Sequence, residues 1–158
     1  MQVWHLDIVR GSGNPLADLR ALWILAGMLR RLQPALIHNV SVKLILLGSL
    51  AAWITGVPRV LNAFTGLGAL FHSQSSGMHG LRRLLVPLLG VLVRRTQAWS
   101  VFQNPGDQEL MQRLGLAAPD RSLMVCGTGV DTERFLPTPE PDGEPGVLFV
   151  GRLLTDKG

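Results

Sequence analysis

Two cations at the end of a short apolar run are the residues whose types and spacing best suit chemistry. Val147-Leu148-Phe149-Val150 runs into Gly151-Arg152, and Lys157-Gly158 follows five residues later. The carboxyl end of a strand in a parallel sheet opens on the ligand crevice. There an Arg can donate a fork of hydrogen bonds to phosphate oxygens, and a Lys adds a point charge. Gly151, Arg152 and Lys157 therefore read as a phosphate grip. The competing reading is two solvated charges after a strand. A P-loop is excluded, because the lysine precedes its glycine and G-x-x-x-x-G-K-[ST] is absent.

Other candidates are spread along the chain. His38 closes an expected strand, where it can touch substrate, act in catalysis or serve as a hydrogen-bonded structural residue. Lys43 follows it and can serve an anion or snorkel to solvent. Thr65-Gly66-Leu67-Gly68 and Gly127-Thr128-Gly129-Val130-Asp131 are turns that can bring bare backbone to a ligand, or ordinary loops. Neither completes G-x-G-x-x-G, so a dinucleotide site has little support. A zinc site is not expected: the four histidines and the lone Cys126 form no C-x-x-C and no H-x-x-x-H. There is no G-x-S-x-G elbow. Paired carboxylates are hard to build, since no Asp or Glu lies between Leu19 and Gly106.

That acid-free stretch carries nine basic residues: Arg20, Arg30, Arg31, Lys43, Arg59, Arg82, Arg83, Arg94 and Arg95. A positive slab of this kind attracts phosphates, anionic lipid or nucleic acid. After Gly106 the balance reverses, with nine acids against five bases. Arg82, Arg83, Arg94 and Arg95 bracket the apolar run Leu84 to Leu89, which suits an anionic membrane surface or a core helix with charged ends. Nucleic acid is a weaker fit, because the aromatics are scattered and do not interleave with the basic residues.

Positioning these residues falls to alternating strands and helices. At 158 residues, 47% of them hydrophobic, the chain can bury a core. A single cysteine excludes an intramolecular disulfide and suits a reducing compartment. No run reaches the roughly 18 apolar residues of a membrane span, and Met1 to Arg10 lacks the pattern of a signal peptide; a cytoplasmic location is expected. Gln2 to Val9 reads as a strand. Asn14-Pro15 then opens a helix, with Asn14 as its cap and Leu16, Leu19, Leu22, Trp23, Ala26 and Leu29 keeping one face apolar. Ala35 to His38 follows as a strand. Ser41 to Ile54 is a helix apolar almost all round, hence buried. Val60 to Phe64 is a strand, and Gly77 to Arg95 a long helix containing Pro87. Trp99 to Phe102, an Asn104-Pro105 helix to about Leu114, and Leu123 to Val125 complete the alternation. Pro137 to Gly146 is proline- and glycine-rich and reads as a linker, with Val147 to Val150 as the strand beyond it.

The pattern predicts an α/β fold, a partial Rossmann-like parallel sheet with helices on both faces. The expected division is a domain over 1–136, a linker over 137–146 and the start of a second domain over 147–158.

Taken in order, five segments lose their generic look. They are Pro34-Ala35-Leu36-Ile37-His38-Asn39-Val40-Ser41-Val42-Lys43, Thr65-Gly66-Leu67-Gly68-Ala69-Leu70-Phe71, Phe102-Gln103-Asn104-Pro105-Gly106-Asp107, Gly127-Thr128-Gly129-Val130-Asp131-Thr132-Glu133-Arg134-Phe135, and Phe149 to Gly158. In this order the chain resembles the family 4 glycosyltransferases, and more narrowly the bacterial branch that extends polyprenyl-diphosphate-linked sugars for surface polysaccharides or glycans.

The resemblance implies a GT-B architecture, two Rossmann-like halves facing a cleft, of which this chain holds most of the acceptor-side half and the first strand and phosphate turn of the donor side. It implies a UDP-sugar donor, a polyprenyl-diphosphate-linked acceptor, retention of anomeric configuration and no metal or other cofactor. Gly151, Arg152 and Lys157 would hold the donor diphosphate and neutralise charge growing on the leaving group. His38, Lys43, Thr65, Gly66, Gly127 and Gly129 would line the sugar pocket or cleft, with His38 and Thr65 the catalytic candidates; Asp131 and Phe135 would be structural. Arg82, Arg83, Arg94 and Arg95 would face an anionic membrane at its inner side, and no nucleic-acid partner is expected. Two positions depart from the family pattern: Val40 replaces the second histidine of His-x-His, and Thr65-Gly66 replaces His-Gly. The family's first strand and most of its donor domain are expected outside these residues, which should leave an open sheet edge and an inactive segment. The alternative function is a non-catalytic basic membrane-surface module.

Overall fold

A computed structural model of the chain describes residues 14–66, 76–127, 129–139, 143–144, 146–148 and 150–151, with the side chains of 76–79 and 81 left aside. The expected strand at Gln2 to Val9, the loop beyond Gly66, Thr128, Arg152 and Lys157 lie outside the described residues. Contacts divide the chain into two compact units, Met1–Gly127 and Thr128–Gly158.

The first unit is an α/β layer. Helix α1 spans Pro15–Leu32. Asn14 caps it as expected, its Oδ1 accepting from the backbone N–H of Leu16 at 3.1 Å and of Ala17 at 3.3 Å. Strand β1 is Ile37–Val40, helix α2 Val42–Thr55, strand β2 Val60–Phe64, helix α3 Ser76–Thr96, strand β3 Trp99–Phe102, helix α4 Pro105–Arg113 and strand β4 Ser122–Met124, the last preceded by one 3-10 turn at Pro119–Arg121. All strand pairs are parallel, and the order is β1-β2-β3-β4. This is the parallel, helix-flanked sheet of a Rossmann-like half.

Strand residues two apart share a face. Ile37, Asn39, Val60, Asn62, Phe64, Ser100 and Phe102 make up the helix-covered face. Ile45 of α2, Leu89 and Val93 of α3 and Met111 of α4 close over Phe64 and Phe102 in one core cluster. Those two rings stack with centroids 5.1 Å apart and planes within 7°, worth about 1 kcal/mol beyond the area they bury. A second cluster joins Ala21, Leu22, Ala26 and Leu29 of α1 to Leu47 and Ala51 of α2. Helix α1 thus packs mainly on α2, and α2 also meets α3. The helix packing seen among the described residues falls on this one face. On the other, Val40, Trp99 and Leu123 stay exposed.

Several expectations change. Strand β1 lies two residues later than Ala35 to His38. Ile37 N–H donates to the Arg59 carbonyl at 3.0 Å, and Ala35 and Leu36 come before any ladder partner. The apolar face expected of α1 splits in two: Leu22, Ala26 and Leu29 are buried, whereas Leu16, Leu19 and Trp23 are 75%, 50% and 57% exposed. In the second unit, Val147, Leu148 and Val150 form no strand, and Val147 is 100% exposed. A strand exists only where another strand accepts its hydrogen bonds, and no pairing is seen for these residues. Asp131 organises a turn in that unit, its Oδ1 accepting from Glu133 N–H at 3.0 Å and Arg134 N–H at 3.1 Å.

Candidate functional site

Register aligns the carboxyl ends of the four strands. Val40 pairs with Ala63, Ala63 with Val101 and Val101 with Leu123. The residues that follow therefore share one edge: Ser41 to Lys43 after β1, Thr65 and Gly66 after β2, Gln103 and Asn104 after β3, and Val125 to Gly127 after β4. This is the edge on which parallel sheets bind ligands.

Local chemistry shapes each element of the edge. Ser41 has φ +79° and ψ 148°, and its side chain caps nothing. A non-glycine residue held there stores on the order of 1–3 kcal/mol. The first turn of α2 holds no acid, so its backbone N–H groups keep their positive end toward the edge. Gly66 takes φ +133° and Gly127 φ +75°, conformations that L side chains rarely adopt. Val125 N–H donates to the Phe102 carbonyl at 2.8 Å, and Gly127 N–H to the Val125 carbonyl at 2.8 Å, folding the chain back after β4. Asn104 caps α4 by accepting from Asp107 N–H at 2.8 Å.

Of the sequence candidates, Lys43, Thr65, Gly66 and Gly127 are thus set along one edge. Lys43 is engaged: its Nζ lies 2.6 Å from Asp18 Oδ1, tying the first turn of α2 to that of α1. His38 is not at the edge. It is the second residue of β1, in register with Leu61, and exposed on the open sheet face with Val40 and Trp99. The two-residue shift of β1 is the reason. Gly129 and Gly151 are exposed residues of the second unit. Of the basic quartet on α3, Arg82 is half-buried while Arg83, Arg94 and Arg95 are exposed. They flank exposed Leu84, Leu88 and Val91, and the Arg95 guanidinium lies 6.0 Å from the Trp53 ring centroid.

A buried polar network behind the edge escaped the sequence reading. Asn39, Ser49, Asn62 and Ser100 are all buried. Asn39 Nδ2 donates to Asn62 Oδ1 at 2.9 Å, and Ser49 Oγ donates to the same oxygen at 3.3 Å. Asn39, Asn62 and Ser100 are register neighbours across three strands. Asn62 Nδ2 and Ser100 Oγ have no partner among the described residues. Gly48 makes room for this network, since a Cβ there would collide with the Asn39 carboxamide. The available signal was an Asn inside each of two strand segments, Ile37–Val40 and Val60–Phe64.

Known proteins supply the context for this geometry. The chain is similar to the N,N'-diacetylbacillosaminyl-diphospho-undecaprenol alpha-1,3-N-acetylgalactosaminyltransferase of Campylobacter jejuni, 26% identical over 171 aligned positions. The alignment takes in 100% of this chain and 45% of that relative, so the chain spans less than half the relative's length. The glycosyl transferase 4-like domain matches residues 1–127, ending where the first compact unit ends. On that match, the chain belongs to the family of glycosyl transferase 4-like domains.

Proposed function

We propose that the chain is the acceptor-side part of a retaining glycosyltransferase, which moves a sugar from a UDP-sugar to a polyprenyl-diphosphate-linked saccharide at the inner face of a bacterial membrane, in polysaccharide or glycan assembly. The observation that carries the reading is a family match over the parallel sheet whose carboxyl edge gathers Ser41, Thr65, Gly66 and Gly127. The name of the Campylobacter jejuni relative supports a diphospho-undecaprenol-linked acceptor. In this proposal Thr65 and the N-terminal end of α2 meet the acceptor, with the Lys43 side chain behind them, and His38 meets a ligand only from the open sheet face. In the second unit, Gly129 offers bare backbone to a ligand. Gly151, Arg152 and Lys157 hold the donor diphosphate. Transfer proceeds without a metal. Exposed Leu84, Leu88 and Val91 between Arg83 and Arg94-Arg95 support a contact of α3 with anionic lipid.

Acceptor binding and turnover separate the parts of this reading. The purified 158-residue chain should retain a radiolabelled polyprenyl-diphosphate saccharide in detergent micelles, equally with and without EDTA, and give no product when a UDP-sugar is added. Thr65→Val should weaken retention roughly fivefold, the value of one net hydrogen bond of about 1 kcal/mol. Product formation by this segment overturns its proposed inactivity, and absence of acceptor retention overturns the acceptor-side assignment. Vesicle binding without acceptor retention would instead favour a non-catalytic membrane-surface module.

A further inference from the structure

Helix α1 presents two opposed apolar surfaces, and only one is used inside the fold. Leu22, Ala26 and Leu29 are sealed against α2. On the opposite side, successive turns carry Leu16, Leu19, Arg20, Trp23, Arg30 and Arg31, all exposed. At about 100° per residue these positions fall in one arc of the helix. The only acid of α1, Asp18, lies outside that arc and is paired with Lys43. No acid follows until Asp107.

We propose that this outer face of α1 docks the domain on an anionic lipid bilayer, lying in the plane of the interface. Charge and residue type select the occupant. Three guanidinium groups with no carboxylate among them match anionic headgroups, each worth about a factor of five in binding near such a surface. Trp23 has the amphipathic ring that settles at headgroup level. Leu16 and Leu19 supply the apolar depth, and the arginine stems let their charged ends reach the phosphates while the helix sinks. A water-facing helix gains nothing from a Trp and two Leu on its outer arc. This docking rests on the reading of a lipid-linked acceptor, and it makes α1 the main membrane contact and α3 the lesser one.

The test uses the full chain and vesicles of phosphatidylcholine with or without phosphatidylglycerol. Co-sedimentation should require phosphatidylglycerol. Arg30→Gln with Arg31→Gln should weaken it about 30-fold, and Leu19→Ser with Trp23→Ser at least as much, whereas changing Arg82, Arg83, Arg94 and Arg95 to Gln should weaken it less. The α1 positions are exposed, so circular dichroism and melting should not change. The summed emission of the four tryptophans should shift to the blue on vesicle addition, and Trp23→Ser should remove most of that shift. Retained vesicle binding in both α1 variants overturns the docking face, as does a wild-type dimer that Trp23→Ser dissociates with no vesicle binding by either form. Acceptor retention in micelles should survive the α1 variants. Its failure in the wild type would remove the acceptor reading without touching the docking result.

Discussion

Among single residues, Gly48 and Asn39 show most directly how the sheet edge is held. Asn39 sits one residue past His38 and two before Ser41, and its carboxamide is fixed by Asn62 beneath α2. Gly48 leaves the gap that the carboxamide fills. Helix propensity alone would favour Gly48→Ala by about 1 kcal/mol. Overpacking costs typically ~1–3 kcal/mol, and loss of the buried hydrogen bond adds about 1 kcal/mol or more. The collision wins, so Gly48→Ala should lower unfolding stability by about 2 kcal/mol in urea titration; a stabilised variant would show that the Asn39 carboxamide is free to move. Ser100→Ala removes a hydroxyl with no partner among the described residues, and its midpoint should stay within about 0.5 kcal/mol of the parent. These residues were written plainly in the sequence but were illegible as a network. A polar residue inside an apolar run shows that something must satisfy it, and only register reveals that Asn39, Asn62 and Ser100 stand side by side.

Elements were legible where a local signal punctuates the chain. Asn14-Pro15 and Asn104-Pro105 start helices as their capping chemistry predicts. Replacing Asn104 by Ala should cost about 1 kcal/mol of stability by removing the bond to Asp107 N–H; an unchanged unfolding midpoint would mean that Pro105 and the Asp107 charge suffice to start α4. Strands β2 and β3 fall where their β-branched and aromatic runs place them, bounded by Pro58 and Gln97 on one side and by polar turns on the other. Strand β1 does not, because its limits are set by Arg59 and Ala63 across the ladder rather than by its own residues. The same reason explains Val147, Leu148 and Val150, which belong to a run that suits a strand but show no pairing partner among the described residues. Position at the edge follows from register, so the two-residue shift of β1 is also what moves His38 away from the site and brings Ser41 to it.

For the whole molecule, the coincidence of the family match with the Met1–Gly127 unit gives a direct expectation. A chain ending at Gly127 should unfold cooperatively in urea with a midpoint close to that of the 158-residue chain; a broad, non-cooperative transition would show that the core needs residues beyond Gly127. The parallel sheet and its class were readable from alternating periodicities, whereas the division of α1 into a buried and an open side was not, since Leu and Trp look alike to a pattern whichever way they turn. The strand order carries one more consequence. Among the described residues, each strand pairs with the next one in the chain across an intervening helix. Each contact closes over one crossover rather than over the whole chain, which limits the loop-closure entropy for a parallel sheet. Each strand–helix step can also settle on the one before it as the chain leaves the ribosome, so the sheet can grow from β1 to β4 in the order of translation, without waiting for a distant partner.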